Sequence, residues 1–361
     1  MSGRTVSRRN TFLEIRRICY AGLPSVPLRR RIGDVLGSAV PSDGFTFATT
    51  DPDTGMLTHA VSEGIPRSLF DAWIDHLYPY HVAAEVLDMA REGPRVTNDC
   101  SHVTREVLQP AGMAFDLRSV LSEEGHPLGF LCLLRDRGDR DFNPDELAFL
   151  RRLSPHLLHG LRTAALLDKS ISEDPRPPSD GPGVVVMDPK GHIVTLNASA
   201  RSHFHDLRDL GPGPDPVPSA VASVVSQLVH LHRSLGDQPS SPLHAQLATR
   251  GHSGRWYRVQ ASLSEPDALG DATTLIVIEG AGPRQTAAVL TRLYGLTPRE
   301  REVLTLAAKG FSTKKIARHL GISPYTVQEH IGNACTRVGV RSRKALLAQL
   351  FFDGYAEGLR A

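Results

Sequence analysis

Metal binding, nucleophilic catalysis and redox chemistry each need particular side chains at particular spacings, and this chain of 361 residues offers few candidates. His203-x-His205 and His230-x-His232 could share a metal only if both rings faced one point. Both pairs fall in helix-like segments, where residues two apart do not face each other, so they read as surface histidines. Gly251-His252-Ser253-Gly254 lacks the G-x-S-x-G spacing of a nucleophile elbow, and no Asp/His order completes a triad. Cys19, Cys100, Cys132 and Cys335 stand far apart without a C-x-x-C pair, which excludes a zinc knuckle or a redox motif and fits a reduced, cytoplasmic protein. There is no G-x-x-x-x-G-K-[ST] phosphate loop, and no strand followed by paired aspartates as in a phosphorylated receiver. The expectation is a protein that is not an enzyme, with no catalytic residue, metal or cofactor.

Charge gives a more specific signal. The chain is 40% hydrophobic and 22% charged with a formal net charge of +2, an ordinary balance for a folded soluble protein. Thr291–Ala361 holds twelve basic and five acidic residues, whereas the preceding 290 residues hold 29 basic and 34 acidic. An acidic body with a basic tail predicts a polyanionic partner for the tail. No apolar run approaches the roughly 18–20 residues of a membrane helix, so no membrane partner is expected. Ser7-Arg8-Arg9-Asn10-Thr11-Phe12-Leu13 has two arginines but is followed by Glu14-Ile15-Arg16-Arg17, unlike an export signal.

The basic tail reads as four helices. Thr297-Pro298-Arg299-Glu300 is a capping box with proline in the first turn, and its helix runs to about Lys309 before Gly310. Ser312 or Thr313 caps a short second helix, which Gly321 ends. Ser323 caps the third helix, Pro324 stands in its first turn, and Gly339 ends it. Ser342 caps a fourth helix through about Phe352. In the third helix Val327, Ile331, Ala334 and Val338 are spaced 4, 3 and 4 and point inward, leaving Tyr325, Gln328, Glu329, Gly332 and Thr336 outside. Two short helices joined by a glycine turn, the second presenting small and polar residues, form a helix-turn-helix that fits the major groove of DNA.

Ahead of the tail, Asp174–Gly183 reads as a Pro/Gly/Ser linker and Gly280-Ala281-Gly282-Pro283 as a second break. They divide the chain into 1–174, 183–280 and 285–361. Gly211–Pro218 reads as a loop within the middle piece, and no internal repeat is visible. In the first piece Leu28–Val40, Arg67–Leu77 and His81–Arg91 read as helices, and Gly44–Thr49, Phe115–Leu121 and Leu128–Arg135 as strands. Asn143-Pro144-Asp145-Glu146 starts a long amphipathic helix to about Leu167. In the middle piece, strand Val184–Met187, a turn at Asp188–Gly191 and strand His192–Leu196 precede an Asn197-capped helix, Ala198–Asp206. Strands Arg255–Leu263 and Thr273–Ile278 close it. The fold class is multidomain: α+β pieces followed by an all-α four-helix domain.

The hairpin and long helix of residues 1–174 resemble a GAF-type sensor domain, and the strand, D-x-x-G turn and Asn-capped helix of 183–280 resemble a PAS domain. Leu296–Leu304, Gly310, Ile316-Ala317, Leu320, Ile322-Ser323-Pro324, Thr326-Val327, His330 and Val338–Arg343 closely resemble the LuxR-type helix-turn-helix. The whole arrangement resembles actinobacterial LuxR-family regulators. Lys315 stands where that family usually has Glu, Gln328 where a basic residue often follows, and Ala334-Cys335 are small.

The resemblance implies a sequence-specific transcriptional regulator. Gln328, Glu329 and Gly332 would face the groove, with Gln328 pairing to adenine and Glu329 accepting from cytosine or serving as a solvated carboxylate. Lys314, Lys315, Tyr325 and Thr326 would meet phosphates. Arg341 and Arg343 would contact the DNA backbone or face water. Ala345, Leu346 and Gln349 are candidates for dimerisation or for the domain's own core. The implied partners are double-stranded DNA, a second copy of the chain on DNA, RNA polymerase, and a small-molecule or protein effector at the sensor half. Control by protein–protein interaction alone, and an enzyme with a DNA-binding tail, are the alternatives. A sigma-factor-like helix-turn-helix lacks its other promoter-binding regions here. Trp73 and Tyr78 resemble aromatics of acyl-homoserine-lactone receptors but read as core.

Overall fold

The apolar run Leu128–Leu134 has no polar face to leave in water, so it requires cover on both sides. In the computed structural model, which describes residues 2–66, 78–91, 95–97, 108–109, 111–167, 181–210, 217–235, 244–264 and 273–351, this run is the middle of a central strand. The described residues group into two compact units, Met1–Gly280 and Ala281–Ala361.

The first unit begins with helices α1 (Ser2–Cys19) and α2 (Ser25–Leu36), strands β1 (Gly44–Thr50) and β2 (Leu57–Glu63), and helix α3 (Tyr78–Arg91). Strands β3 (Arg95–Thr97), β4 (Met113–Glu123) and β5 (His126–Asp136) and helix α4 (Pro144–Leu167) follow. The strands form an antiparallel sheet in the order β2-β1-β5-β4-β3. Leu131 and Leu133 of β5 join a core with α1, α2 and α4, while Phe130, Cys132 and Leu134 join a second core with α3. Helix α4 starts as its sequence predicts: Asn143 Oδ1 accepts from the Glu146 N–H at 3.1 Å, and Glu146 Oε2 accepts from the Asn143 N–H at 2.9 Å.

The second half of this unit comprises β6 (Gly183–Met187), β7 (Ile193–Leu196), α5 (Ala198–Leu207), α6 (Ser219–Leu235), β8 (His244–Arg250), β9 (Trp256–Leu263) and β10 (Thr274–Gly280). Its sheet order, β7-β6-β10-β9-β8, repeats that of the first sheet, strand for strand. Helices α5 and α6 cover one face, through Ala200, Leu207, Val221, Val224 and Leu228 against Val185, Val259 and Ile276. Met56 and Ala83 from the first half belong to this same core, so the two sheets share buried surface.

Polar groups fasten the shared surface. The Leu210 N–H donates to Ala60 O at 3.0 Å and Leu210 O accepts from the Ser62 N–H at 2.7 Å, adding a parallel rung to β2. Asp209 Oδ1 accepts from the Ala60 N–H and Oδ2 from the Ser219 N–H, each at 2.6 Å. Arg29, 1% exposed, donates to Phe47 O at 2.9 Å, to His59 O at 2.8 Å and to His59 Nδ1 at 2.8 Å. The His59 and His252 Nε2 atoms lie 3.3 Å apart, and His252 Nε2 donates to Arg208 O at 2.8 Å. Burial, then the Arg29 charge, holds the His59 ring well below its ordinary 6.5.

Several sequence expectations change. His203 is not a surface histidine: it is fully buried, its Nε2 donates to Gly181 O at 2.9 Å, and it packs edge-on against Tyr257. Gly183 lies so close that a Cβ there would meet its ring at 2.7 Å, which explains the burial. Helices α1 and α6 and strands β2 and β8 carried no sequence reading as such. The expected helix Arg67–Leu77, most of the Asp174–Gly183 linker, residues 211–216 of the proline-rich loop, Trp73 and Cys100 lie outside the described residues.

Arg29→Met leaves several buried acceptors without their donor, and an unfolding free energy lower by about 2–4 kcal/mol is expected in urea titrations. The His59 resonance should titrate at higher pH in that variant, because a cation beside it is gone. An unchanged His59 titration would show that Arg29 does not set its charge.

Candidate nucleic-acid interface

The second unit contains α7 (Pro283–Leu293), α8 (Pro298–Ala308), α9 (Thr313–Leu320), α10 (Pro324–Val338) and α11 (Arg343–Phe351). Gly282 and Pro283, read from sequence as part of a break, also start α7, since proline at a first helical position costs no hydrogen bond. Every other start follows the sequence. Thr297 Oγ1 accepts from the Glu300 N–H at 3.3 Å while Glu300 Oε2 accepts from the Thr297 N–H at 2.9 Å. Ser312, Ser323 and Ser342 accept from the N–H groups of Lys315, Thr326 and Ala345 at 3.3, 3.0 and 3.1 Å. Gly321 and Gly339 end α9 and α10 at φ of 65° and 79°, a left-handed conformation that glycine takes without penalty. Val303, Leu304, Ile316, Val327, Ile331, Ala334, Val338 and Leu346 make the core.

Two arginines set the position of the outward helix. Arg337 of α10 donates to Gly295 O at 2.7 Å, and its Nε lies 3.6 Å from the buried Glu300 carboxylate. Arg343 donates to Phe311 O at 2.7 Å, tying α11 to the turn between α8 and α9.

With α10 held inward by Val327, Ile331, Ala334 and Val338, its outer face carries Tyr325, Gln328, Glu329, Gly332, Asn333 and Thr336, all exposed. Tyr325 is 79% exposed, the largest value among the exposed large hydrophobic side chains of the described residues. Lys314, Arg318, Arg341 and Lys344 are exposed and form no ion pair with a described residue. Lys315 is exposed too, and its ammonium lies 3.9 Å from the centre of the Phe311 ring, a cation–π contact. Thr326 is half-buried and its hydroxyl bonds Ser323 Oγ at 2.9 Å, so it serves the start of α10. Ala345 is exposed, Leu346 is fully buried in the core, and Gln349 donates to the Tyr294 hydroxyl at 2.7 Å. The Arg337–Glu300 and Gln349–Tyr294 ties were missed in sequence; they join residues 37 and 55 apart and have no local spacing to reveal them.

Two helices at a left-handed glycine turn, the second presenting an open polar face, define a helix-turn-helix domain. The family described as bacterial regulatory proteins, luxR family, matches residues 295–349. The spore germination protein GerE of Bacillus subtilis is 44% identical over 62 residues, which are 17% of this chain and 84% of that protein. The chain belongs to the luxR family. Helix-turn-helix regulators of Mycobacterium bovis and Mycobacterium tuberculosis are 39% identical over 88 residues, 24% of this chain, and the chain spans only 9% of their length. A GAF domain from a Coxiella burnetii phosphotransferase overlays 45% of this chain and 96% of its own, with 15% identity and a TM-score of 0.32. No helix among the described residues is long and apolar enough to cross a membrane.

Replacing Glu300 with alanine removes half of the capping box and the counter-charge of Arg337. A loss of about 1–2 kcal/mol is expected, read as a lower melting temperature of the second unit. Replacing the exposed Glu302 serves as control and should leave it nearly unchanged.

Proposed function

We propose that the chain is a sequence-specific DNA-binding transcriptional regulator, with residues 285–361 as its DNA-binding domain and residues 1–174 and 183–280 as GAF-like and PAS-like sensor pieces. The observation that carries this reading is the outer face of α10: exposed Gln328 and Glu329 stand on a helix whose opposite side is locked into the core. Lys314 and Arg318, exposed on α9, and Arg341, exposed just after α10, supply charge for phosphates. Gln328 reads adenine through its amide, and Glu329 accepts from cytosine. Lys315 and Tyr325 meet the backbone; Thr326 and Arg343 act chiefly by positioning the helices that do.

One such domain covers only a short half-site, so two copies pair on a roughly palindromic duplex about one helical turn apart. Ala345 is the residue of α11 open to such pairing. A small molecule or partner protein at the sensor half changes that pairing by about 1–3 kcal/mol, the usual size of such coupling. Contact with RNA polymerase follows from the regulatory role.

Titration of labelled duplex with the full chain tests the reading. If a dimer touches on the order of 6–10 phosphates, affinity should fall by about 10³–10⁵ between about 50 and 200 mM salt. Salt-independent affinity would remove the phosphate contacts.

Gln328→Ala should cost about 1–3 kcal/mol at the best site and relax preference at one base, whereas Lys314→Ala should weaken all duplexes alike. Identical specificity profiles for the two variants would remove α10 as the reader.

A further inference from the structure

Glycine inside a helix is destabilising relative to alanine, because it gives up more backbone freedom on folding. It is retained for internal reasons when the backbone needs a positive φ or when a neighbour crowds the place of a Cβ. Among helix-interior glycines with described surroundings, Gly33 in α2 and Gly160 in α4 have the second reason. A Cβ would meet the Phe45 ring at 2.1 Å in the first case and Cys19 at 3.1 Å in the second.

Gly332, in the middle of α10, has neither. Its φ is not positive, it is exposed, and a Cβ there would meet nothing within 4 Å. It stands on the line Tyr325, Glu329, Gly332, Thr336, spaced 4, 3 and 4, opposite the buried line Val327, Ile331, Ala334, Val338. Thr336 Oγ1 donates back to Gly332 O at 3.0 Å, so the backbone carbonyl is already satisfied within the helix. What the residue presents outward is bare Cα.

We infer that Gly332 is the point of closest approach between the chain and DNA: the missing Cβ lets α10 sink into the major groove far enough for Gln328 and Glu329 to reach base edges. The space kept empty in the free protein is space the duplex fills. The inference rests on the DNA-binding reading proposed above. It makes Gly332 a specificity-determining residue that works by what it lacks, and its cost to the helix is tolerated for the contact.

The test uses the full-length chain, a duplex enriched by that chain from a randomised library, and a scrambled duplex of equal length. In Gly332→Ala, hydrogen exchange of the α10 amides in the free protein should slow about five-fold, as expected for a better helix former. Affinity for the enriched duplex should fall at least about ten-fold, with affinity for the scrambled duplex held within about two-fold. Gly332→Leu should deepen the first loss. Unchanged affinity of the alanine variant for the enriched duplex would overturn the inference. So would equal losses on both duplexes, or faster exchange in α10, which would make the glycine a structural residue. If the unaltered chain enriches no duplex, the DNA-binding reading falls and takes this inference with it; if it does and alanine is tolerated, only the role of Gly332 falls.

Discussion

One carboxylate, that of Glu300, decides where the outward helix of the second unit points. Its Oε2 closes the capping box on the Thr297 N–H at 2.9 Å and stands 3.6 Å from Arg337 Nε, with the residue 3% exposed. The same oxygen therefore starts α8 and holds α10. The carboxylate is buried while the Arg337 side chain is about half exposed, so the pair joins an inner group to a partly solvated one. Arg337 also donates to Gly295 O, so the α10 side chain grips one point before α8 and one in its first turn. Base reading depends on side chains placed to within a fraction of an ångström, and that requires a helix with no freedom to roll.

The first unit has its own fixed point where the two sheets meet, and titratable groups there oppose each other. Burial raises the Asp209 carboxyl from 3.8 to about 6. Its contribution to stability is complete below the unfolded value and is lost as pH rises through about 6. Burial and the Arg29 charge keep His59 well below 6.5, and burial, with the Arg29 charge as a lesser cause, lowers His252 as well. Their contributions are present above 6.5 and are lost as pH falls through their folded values. Below about 6, acidification therefore strengthens one part of the junction and weakens the other.

The second unit was nearly all legible in the sequence because its signals are local. A cap, a proline, a glycine and a 3-4 apolar spacing lie within a few residues of what they specify, and α8 to α11 begin and end close to where those residues stand. Only α7 escaped, since Gly282-Pro283 marks a loop and a helix start equally well. In the first unit β5 and α4 were visible as an unbroken apolar run and a capped periodic stretch. Strand β2 was not: Leu57-Thr58-His59-Ala60-Val61-Ser62-Glu63 mixes polar with apolar residues, yet all but Glu63 are buried. That burial comes from residues about 150 positions away in the second half of the unit, as in the Asp209–Ala60 bond. The repeated strand order was equally invisible, because hydrogen-bonded order is shared without any shared residues. In the candidate site, the outer face of α10 was legible from periodicity, but the engagement of Thr326 and Arg343 by their own domain was not, and that of Gln349 stood only as the alternative to dimerisation. Each of these depends on where a side chain turns after the helices have packed.

The rung that Leu210 adds to β2 also solves a problem of solubility. An open strand edge is a template on which another chain can build, and β2, seven residues long and almost wholly buried, would be a long and sticky one. Leu210 and the Asp209 carboxylate occupy the Ala60 and Ser62 hydrogen-bonding groups that such a chain would use. At the second sheet, β8 lends its Ala248 N–H to Asp51 Oδ2 at 3.3 Å, and the opposite edge, β7, is only four residues long. The first sheet's other edge, β3, has three. The second half of the unit thus guards the first against edge-to-edge aggregation, and a chain severed between the sheets would expose the edge that the intact one hides.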